Sequence, residues 1–140
     1  MSAPVDFPRA IVFPEETRTA ADAAAAIGCD LGAIVKSLVF RRREDTLLVL
    51  CSGANTVDTE RLDLARADAA HVRAVSGFAI GGVPPYGWAR APDSTLVDED
   101  LLAFDEIWAA AGTPRSVFPL TAAELLERCG GEVATVKPRG

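Results

Sequence analysis

Two apolar runs separated by a short charged stretch constrain this chain more than anything else in it. Ala33-Ile34-Val35-Lys36-Ser37-Leu38-Val39-Phe40 is followed by Arg41 to Asp45, and then by Thr46-Leu47-Leu48-Val49-Leu50-Cys51. Runs this rich in β-branched and large apolar residues read as strands, and a polar turn at Arg43-Glu44-Asp45 joins them as a hairpin. Neither run alternates cleanly between apolar and polar. A strand of that kind is covered on both faces. The rest of the chain must therefore supply layers on both sides of the hairpin.

The remaining segments can do so. Ala10-Ile11-Val12-Phe13 reads as a short strand stopped by Pro14. Thr17 or Thr19 caps an alanine-rich helix through Ile27, and Gly28 ends it. Asp58 is expected to open a helix through Leu64, and Asp68 a second from Ala69 to Val75. Ser94 to Val97 reads as a strand, with a turn or helical turn from Asp98 to Leu102. Glu106 to Ala111 is taken as a strand because Gly112-Thr113-Pro114 then turns the chain into Ser116 to Leu120. Thr121, with Glu124 at the capping-box position, starts a helix from Ala122 to Cys129. Val133 to Val136 closes the chain as a strand. With 140 residues, 49% of them hydrophobic and 24% charged, the expectation is one α+β domain over residues 1–140. It has a mixed, mostly antiparallel sheet with helices packed around it.

Composition narrows the function classes. Three cysteines, Cys29, Cys51 and Cys129, form no CxxC pair and are odd in number, which argues against a disulfide framework or a zinc site and favours a reducing cytosol. Met1 to Ala10 lacks the apolar core of a signal peptide, and no apolar stretch is long enough to span a bilayer. No membrane role, no metal and no cofactor are expected. A net charge of −6 opposes a general nucleic-acid coat, so RNA contact has to be local. Arg41-Arg42-Arg43 is the candidate patch, or else a solvated hairpin end beside Glu44 and Asp45.

Lys36 is one of two lysines against twelve arginines. A compact point charge on a flexible stem suits a small cation site with apolar walls, where the wide guanidinium fork does not fit. The competing reading is a strand-end lysine that snorkels or pairs with a carboxylate. Between Gly77 and Gly87 fall four glycines and two prolines. Such a loop can bring backbone N–H groups to a ligand, or it can simply cross between two layers. It carries no phosphate-loop signature. His71, the lone histidine, reads as a surface residue. Cys51 reads as core. Within Asp98-Glu99-Asp100, a solvated turn, Asp98 stands out because it ends a strand.

Taken in order, several segments resemble the YbaK/ProX family of aminoacyl-tRNA editing domains. They are Ile34–Phe40, Ser52-Gly53-Ala54-Asn55-Thr56-Val57-Asp58, Gly77–Pro85, Leu96–Leu101, Ala111-Gly112 and Leu120–Leu125. The resemblance runs from Thr19 to Val136. It implies a curved sheet and a freestanding deacylase that cleaves the ester of a mischarged tRNA, usually tRNA for proline carrying alanine or cysteine. Its partners would be the aminoacyl-tRNA 3′ end and, as an optional second, prolyl-tRNA synthetase, in the cytoplasm. Lys36 takes the place of the family's functional lysine. Gly81-Gly82-Val83-Pro84-Pro85 fits its G-x-x-x-P loop. Ser37 stands where a small hydroxyl residue follows the lysine, and Gly112 matches a glycine bordering the pocket. Some members carry serine just before that glycine, where this chain has Ala110-Ala111.

In that reading Lys36, Gly81 and Gly82 are catalytic, with the two glycine N–H groups on the carbonyl oxygen. Ser37, Val83, Pro84, Pro85, Asp98 and Gly112 bind substrate. Ala33, Ala110 and Ala111 are candidate small walls. Two rivals remain: a pocket that grips an aminoacyl-adenosine-like or other small ligand without hydrolysis, and a factor active only when docked on prolyl-tRNA synthetase.

Overall fold

The computed structural model describes residues 7–17 and 19–139. Part of the leader segment read above, Met1 to Asp6, lies outside the described residues, as do Arg18 and Gly140. The hairpin is present. Its strands are β2 (Val35–Arg42) and β3 (Asp45–Ser52), paired antiparallel from Val35↔Ser52 to Arg42↔Asp45. The turn is tighter than expected, because Arg43 adopts φ 57° and reverses the chain with Glu44. β3 is buried from Thr46 to Ser52, as its unbroken apolar run requires.

Around this pair lie β1 (Ile11–Val12), β4 (Ala65–Arg66), β5 (Ser94–Asp98), β6 (Ile107–Ala110), β7 (Ser116–Leu120) and β8 (Glu132–Ala134). The helices are α1 (Ala20–Ile27), α2 (Ala69–Ser76) and α3 (Ala122–Cys129), with 3-10 turns at Leu31–Ala33 and Glu99–Ala103. The α+β class holds. The strands divide between two sheets rather than lying in one. The larger runs β4-β2-β3-β5-β8 and the smaller β1-β7-β6. β3–β5 and β5–β8 pair parallel and the other pairings are antiparallel. A parallel bridge from Ile34 to Trp108 joins the sheets. β1 covers only Ser116 and Val117 of β7, so Pro119 meets no partner on that side and its missing N–H costs no ladder bond.

All three helices start as the sequence predicts. Thr19, Asp68 and Thr121 accept from the N–H groups of Asp22, His71 and Glu124, and Thr121–Glu124 forms the full capping box. The expected helix from Asp58 does not form. Leu62 N–H reaches Asp58 O at 3.2 Å, but Asp63 turns to φ 55° and Leu64 N–H closes on Thr59 O at 2.9 Å. The Arg61 guanidinium ties this turn to the carbonyls of Thr135 and Lys137, at 2.7 and 2.8 Å. The chain has to reverse there to enter β4, so local periodicity yields to topology.

The main core sits between the sheets, where Leu48, Leu50, Val97, Leu101, Ile107, Phe118 and Leu125 are each almost fully buried. Leu125 is the buried residue of α3. Truncating Leu125 to Ala removes about 2–5 kcal/mol of stability. Urea unfolding of the variant will show a lower midpoint at unchanged slope, and an unshifted midpoint would contradict the packing described.

Candidate active site

The outer edge of β2 explains where the site lies. Ala67 N–H donates to Val39 O at 3.3 Å, so the odd-numbered residues of β2 turn their backbone groups away from β3. β4 takes up that edge only from Val39 onward, and Ile34 is bridged to Trp108 at the other end. Between them, among the described residues, the backbone edge at Ser37 has no strand partner. A cavity of about 320 Å³ opens there, near the lower end of the ~300–1,000 Å³ typical of ligand sites.

Lys36 and Ser37 form one side of the cavity. Ile80, Gly81 and Val83 of the glycine-proline loop form another. Thr17, Thr19, Ala20 and Ala23 come from the start of α1, and Trp108, Ala110 and Val117 from the smaller sheet. A wider depression of about 570 Å³ runs along Phe7, Val12, Ala111 and Ser116, but its charged residue, Arg115, donates to the Phe13 carbonyl at 3.0 Å. The Lys36 cavity is the better candidate because it gathers Lys36, Ser37, Gly81 and Val83, which the sequence singles out.

Lys36 is half-buried, and among the described residues it makes no ion pair. Its Nζ donates to the Asn55 carbonyl at 2.5 Å. That carbonyl is placed by a buried network. Asp98, 1% exposed, accepts from Ser52 N–H at 2.9 Å, Asn55 Nδ2 at 2.8 Å and Asp100 N–H at 3.0 Å. Asn55 Nδ2 also donates to Asp100 at 2.8 Å, and Asp100 pairs with Lys137 at 2.8 Å. The hydrogen bond from Lys137, followed by that from Asn55, holds the Asp100 carboxyl below its ordinary pKa. Ser52 Oγ donates to Gly32 O at 2.7 Å, and a Cβ on Gly53 would stand 2.5 Å from Leu31 O. The Ser52–Asn55 segment thus has a structural cause: its residues seat the carbonyl that receives Lys36.

The expected site residues divide into those at the cavity and those that support it. Lys36, Ser37, Gly81, Val83 and Ala110 line it. Gly82 does not, and its N–H already donates to Ala79 O at 2.9 Å, which leaves it no free donor for a substrate oxygen. A Cβ on Gly82 would lie 2.7 Å from Thr113 Cα, so this glycine packs the loop against the late turn. Gly112, at φ 101°, faces the Phe78 ring. Pro84 is buried and its carbonyl accepts from Trp88 Nε1 at 2.9 Å, while Pro85 lines a separate recess with Tyr86 and Trp88. Asp98 lies under the Asn55 loop rather than at the cavity. Ala33 is in the core, and Ala111 borders the wider depression.

The α1 residues and Trp108 were not foreseen. Thr19 carried a signal as a helix cap, but nothing local in the sequence brings α1 to the β2 edge. His71 is not simply a surface residue: its Nε2 bonds Thr46 Oγ1 at 3.0 Å. Cys51 is core, as expected, and burial pushes its thiol up to about 12.

Among the described residues, the cavity lining contains no carboxylate, imidazole or thiol. The described lining offers one cation, small hydroxyls and apolar walls. Ser37 Oγ is buried with no hydrogen-bond partner among the described residues. A model of the aminoacyl-tRNA editing domain family matches residues 14–127.

The chain belongs to the aminoacyl-tRNA editing domain family.

The match spans every element that builds the cavity. The chain is 32% identical over 122 residues to the uncharacterized protein YwhH of Bacillus subtilis (strain 168), covering 82% of this chain and 77% of that protein. Among solved structures, a scaffold protein used for epitope backbone grafting by computational design superposes with TM-score 0.88 at 42% identity, covering 94% of this chain and 87% of that one. A candidate trans-editing enzyme for prolyl-tRNA synthetase gives TM-score 0.85 at 45% identity, over 93% and 86%. Hypothetical protein APE2540 gives 0.78 at 28%, over 91% and 89%. Among the described residues, no helix is long and apolar enough to cross a membrane.

In this editing domain the Asp98 network should be indispensable. Asp98→Ala strands the buried Ser52 N–H, at about 1–3 kcal/mol for a buried group left unpaired, and removes one of the two acceptors of Asn55 Nδ2. A clear fall in urea midpoint is expected. A variant as stable as the parent would show that the network does not hold the loop.

Proposed function

We propose that this editing domain is an aminoacyl-tRNA deacylase, acting as one unit over residues 1–140 in the cytoplasm. Its substrate is the ester of a mischarged tRNA, tRNA for proline carrying a small wrong amino acid such as alanine or cysteine. The observation that carries the reading is a cavity whose described lining sets Lys36 against small apolar walls, with no side-chain acid or base among the described residues. The likeness to a candidate trans-editing enzyme for prolyl-tRNA synthetase supports the choice of tRNA.

A second sieve is useful because synthetase pockets separate small side chains poorly. Ala20, Ala23 and Ala110 leave room for a small side chain beside the Trp108 ring. Hydrolysis adds water to the ester carbonyl and expels the ribose oxygen, which takes up the proton, giving free amino acid and a tRNA with its terminal hydroxyl restored. The nucleophile is a positioned water or one activated by the neighbouring ribose hydroxyl, so no protein nucleophile is needed. Gly81 N–H is the donor proposed for the developing oxyanion, because that of Gly82 is engaged. Lys36, held by the Asn55 carbonyl, supplies positive charge to the terminal phosphate or the ester end. Ser37 Oγ is the hydroxyl that meets the substrate's polar atoms.

Lys36→Ala should lower deacylation by about a hundredfold or more, the usual scale for a lost electrostatic contact at a reacting centre, while circular dichroism and melting stay near those of the parent. Near-normal turnover by the folded variant would sink the assignment. The assay uses tRNA for proline charged with alanine, cysteine or serine, with and without the synthetase. Release by the protein alone supports the deacylase. Release only with the synthetase supports docking, and binding without release supports a ligand-binding module.

A thiol raised to about 12 is protonated throughout the neutral range, so Cys51 takes no part as a nucleophile. Iodoacetamide at pH 7.5 (roughly a unit below an ordinary cysteine) should leave Cys51 unmodified by mass spectrometry and turnover intact. Loss of turnover in step with Cys51 alkylation would contradict this.

A further inference from the structure

A second recess adjoins the cavity. This recess, of about 90 Å³, shares Ser37, Leu38, Ile80, Gly81 and Val83 with the Lys36 cavity and extends along β2 to Phe40 and Arg66. From Ser37 to Phe40 the strand advances about 10 Å. Ile80 is 59% exposed and lines both spaces. At the far end Arg66 is exposed, and among the described residues it makes neither an ion pair nor a side-chain hydrogen bond. Arg41, on the strand beside it and opposite Ala65, is likewise exposed and unpaired among the described residues. The nearest acid in sequence, Asp68, is turned away to cap α2 by accepting from His71 N–H at 2.8 Å.

We propose that this recess seats the nucleotide that precedes the terminal adenosine of the RNA. Its base would lie against Ile80 and the apolar floor, and its phosphate at Arg66. The inference rests on the deacylase reading for the identity of the group in the neighbouring cavity. Its own support is the lining that the two adjoining spaces share and the cation at the outer end. An apolar face with an adjoining unpaired arginine fits a base and its phosphate, because every base has a stackable face and the phosphate requires positive charge. It also accounts for RNA binding by a chain whose net charge is −6. The contact is local and electrostatic at one point, as a single-stranded end requires. A peptide strand added to the open β2 edge would use the same groove, but it has no need of the arginine.

The test compares two non-hydrolysable amides by calorimetry on the full chain. One is 3′-alanylamino-3′-deoxyadenosine, and the other is the same compound extended at its 5′ oxygen by a cytidylate that keeps its own 5′-phosphate, the group meant for Arg66. The extended amide should bind about tenfold or more tightly, as expected for one stacked base plus one phosphate contact. The gain should shrink between 50 and 200 mM salt. Arg66→Ala should bring the affinity ratio of the two amides close to one, and Arg66→Lys should retain part of it. Equal affinities for the parent protein, or a gain that survives Arg66→Ala, would overturn the recess and leave the deacylase reading standing. If alanyl-adenosine and alanyl-tRNA are not hydrolysed but the Arg66-dependent gain is seen, the deacylase reading falls and the recess stands. Binding of neither amide overturns both.

Discussion

A single buried carboxylate organises the active end of this molecule. Asp98 lies at the end of β5, almost inaccessible, and receives N–H donors from Ser52, Asn55 and Asp100. A buried charge is tolerated only where hydrogen bonds replace the water it loses. Here they come from the segment that ends β3 and from the turn that follows β5. These two strands are parallel neighbours, so their ends emerge side by side and need to be fastened. The fastening has a consequence beyond stability. It fixes the Asn55 carbonyl, and that carbonyl fixes Lys36.

The choice of lysine follows from this arrangement. Arginine would present a planar fork to a single carbonyl and crowd a cavity bounded by alanines and a tryptophan. An ammonium group can donate to Asn55 and still keep N–H directions free for a substrate oxygen. A carboxylate partner would have neutralised the charge. A carbonyl orients it and leaves it available. Among the described residues Lys36 has no carboxylate partner, and it lines a cavity.

Much of the scaffold was legible because it rests on local or periodic signals. Three helix caps, the hairpin and the strand at Ile107–Ala110 follow from side-chain chemistry within a few residues. The helix expected at Asp58 failed because its fate is set from far away, by Arg61 reaching the carbonyls of Thr135 and Lys137. The same distinction governs the site. Lys36 was conspicuous as a compositional exception in an apolar strand. Asp98 and Gly112 were conspicuous too, but their work is to hold Asn55 and the Phe78 loop in place. Residues with strong local signals cannot be sorted into contact and support without the fold. Thr17, Ala20 and Trp108 carry ordinary signals and reach the cavity only because α1 and the smaller sheet close over the open edge of β2.

That open edge links fold to chemistry. An unpaired strand edge is a liability that proteins normally cover or charge. This chain leaves one at Ser37 and encloses it beneath a loop stiffened by Pro84 and Pro85. The enclosed backbone groups and the Ser37 hydroxyl are then polar atoms in an apolar setting, where any hydrogen bond they make is strengthened by the low dielectric. A site built this way needs no acid–base residue of its own to discriminate. It favours a ligand that brings matching donors and acceptors together with a small apolar group, and it penalises one whose side chain is too large for the alanine walls. Selectivity at such a site is a matter of shape and of the hydrogen bonds a ligand leaves unmade.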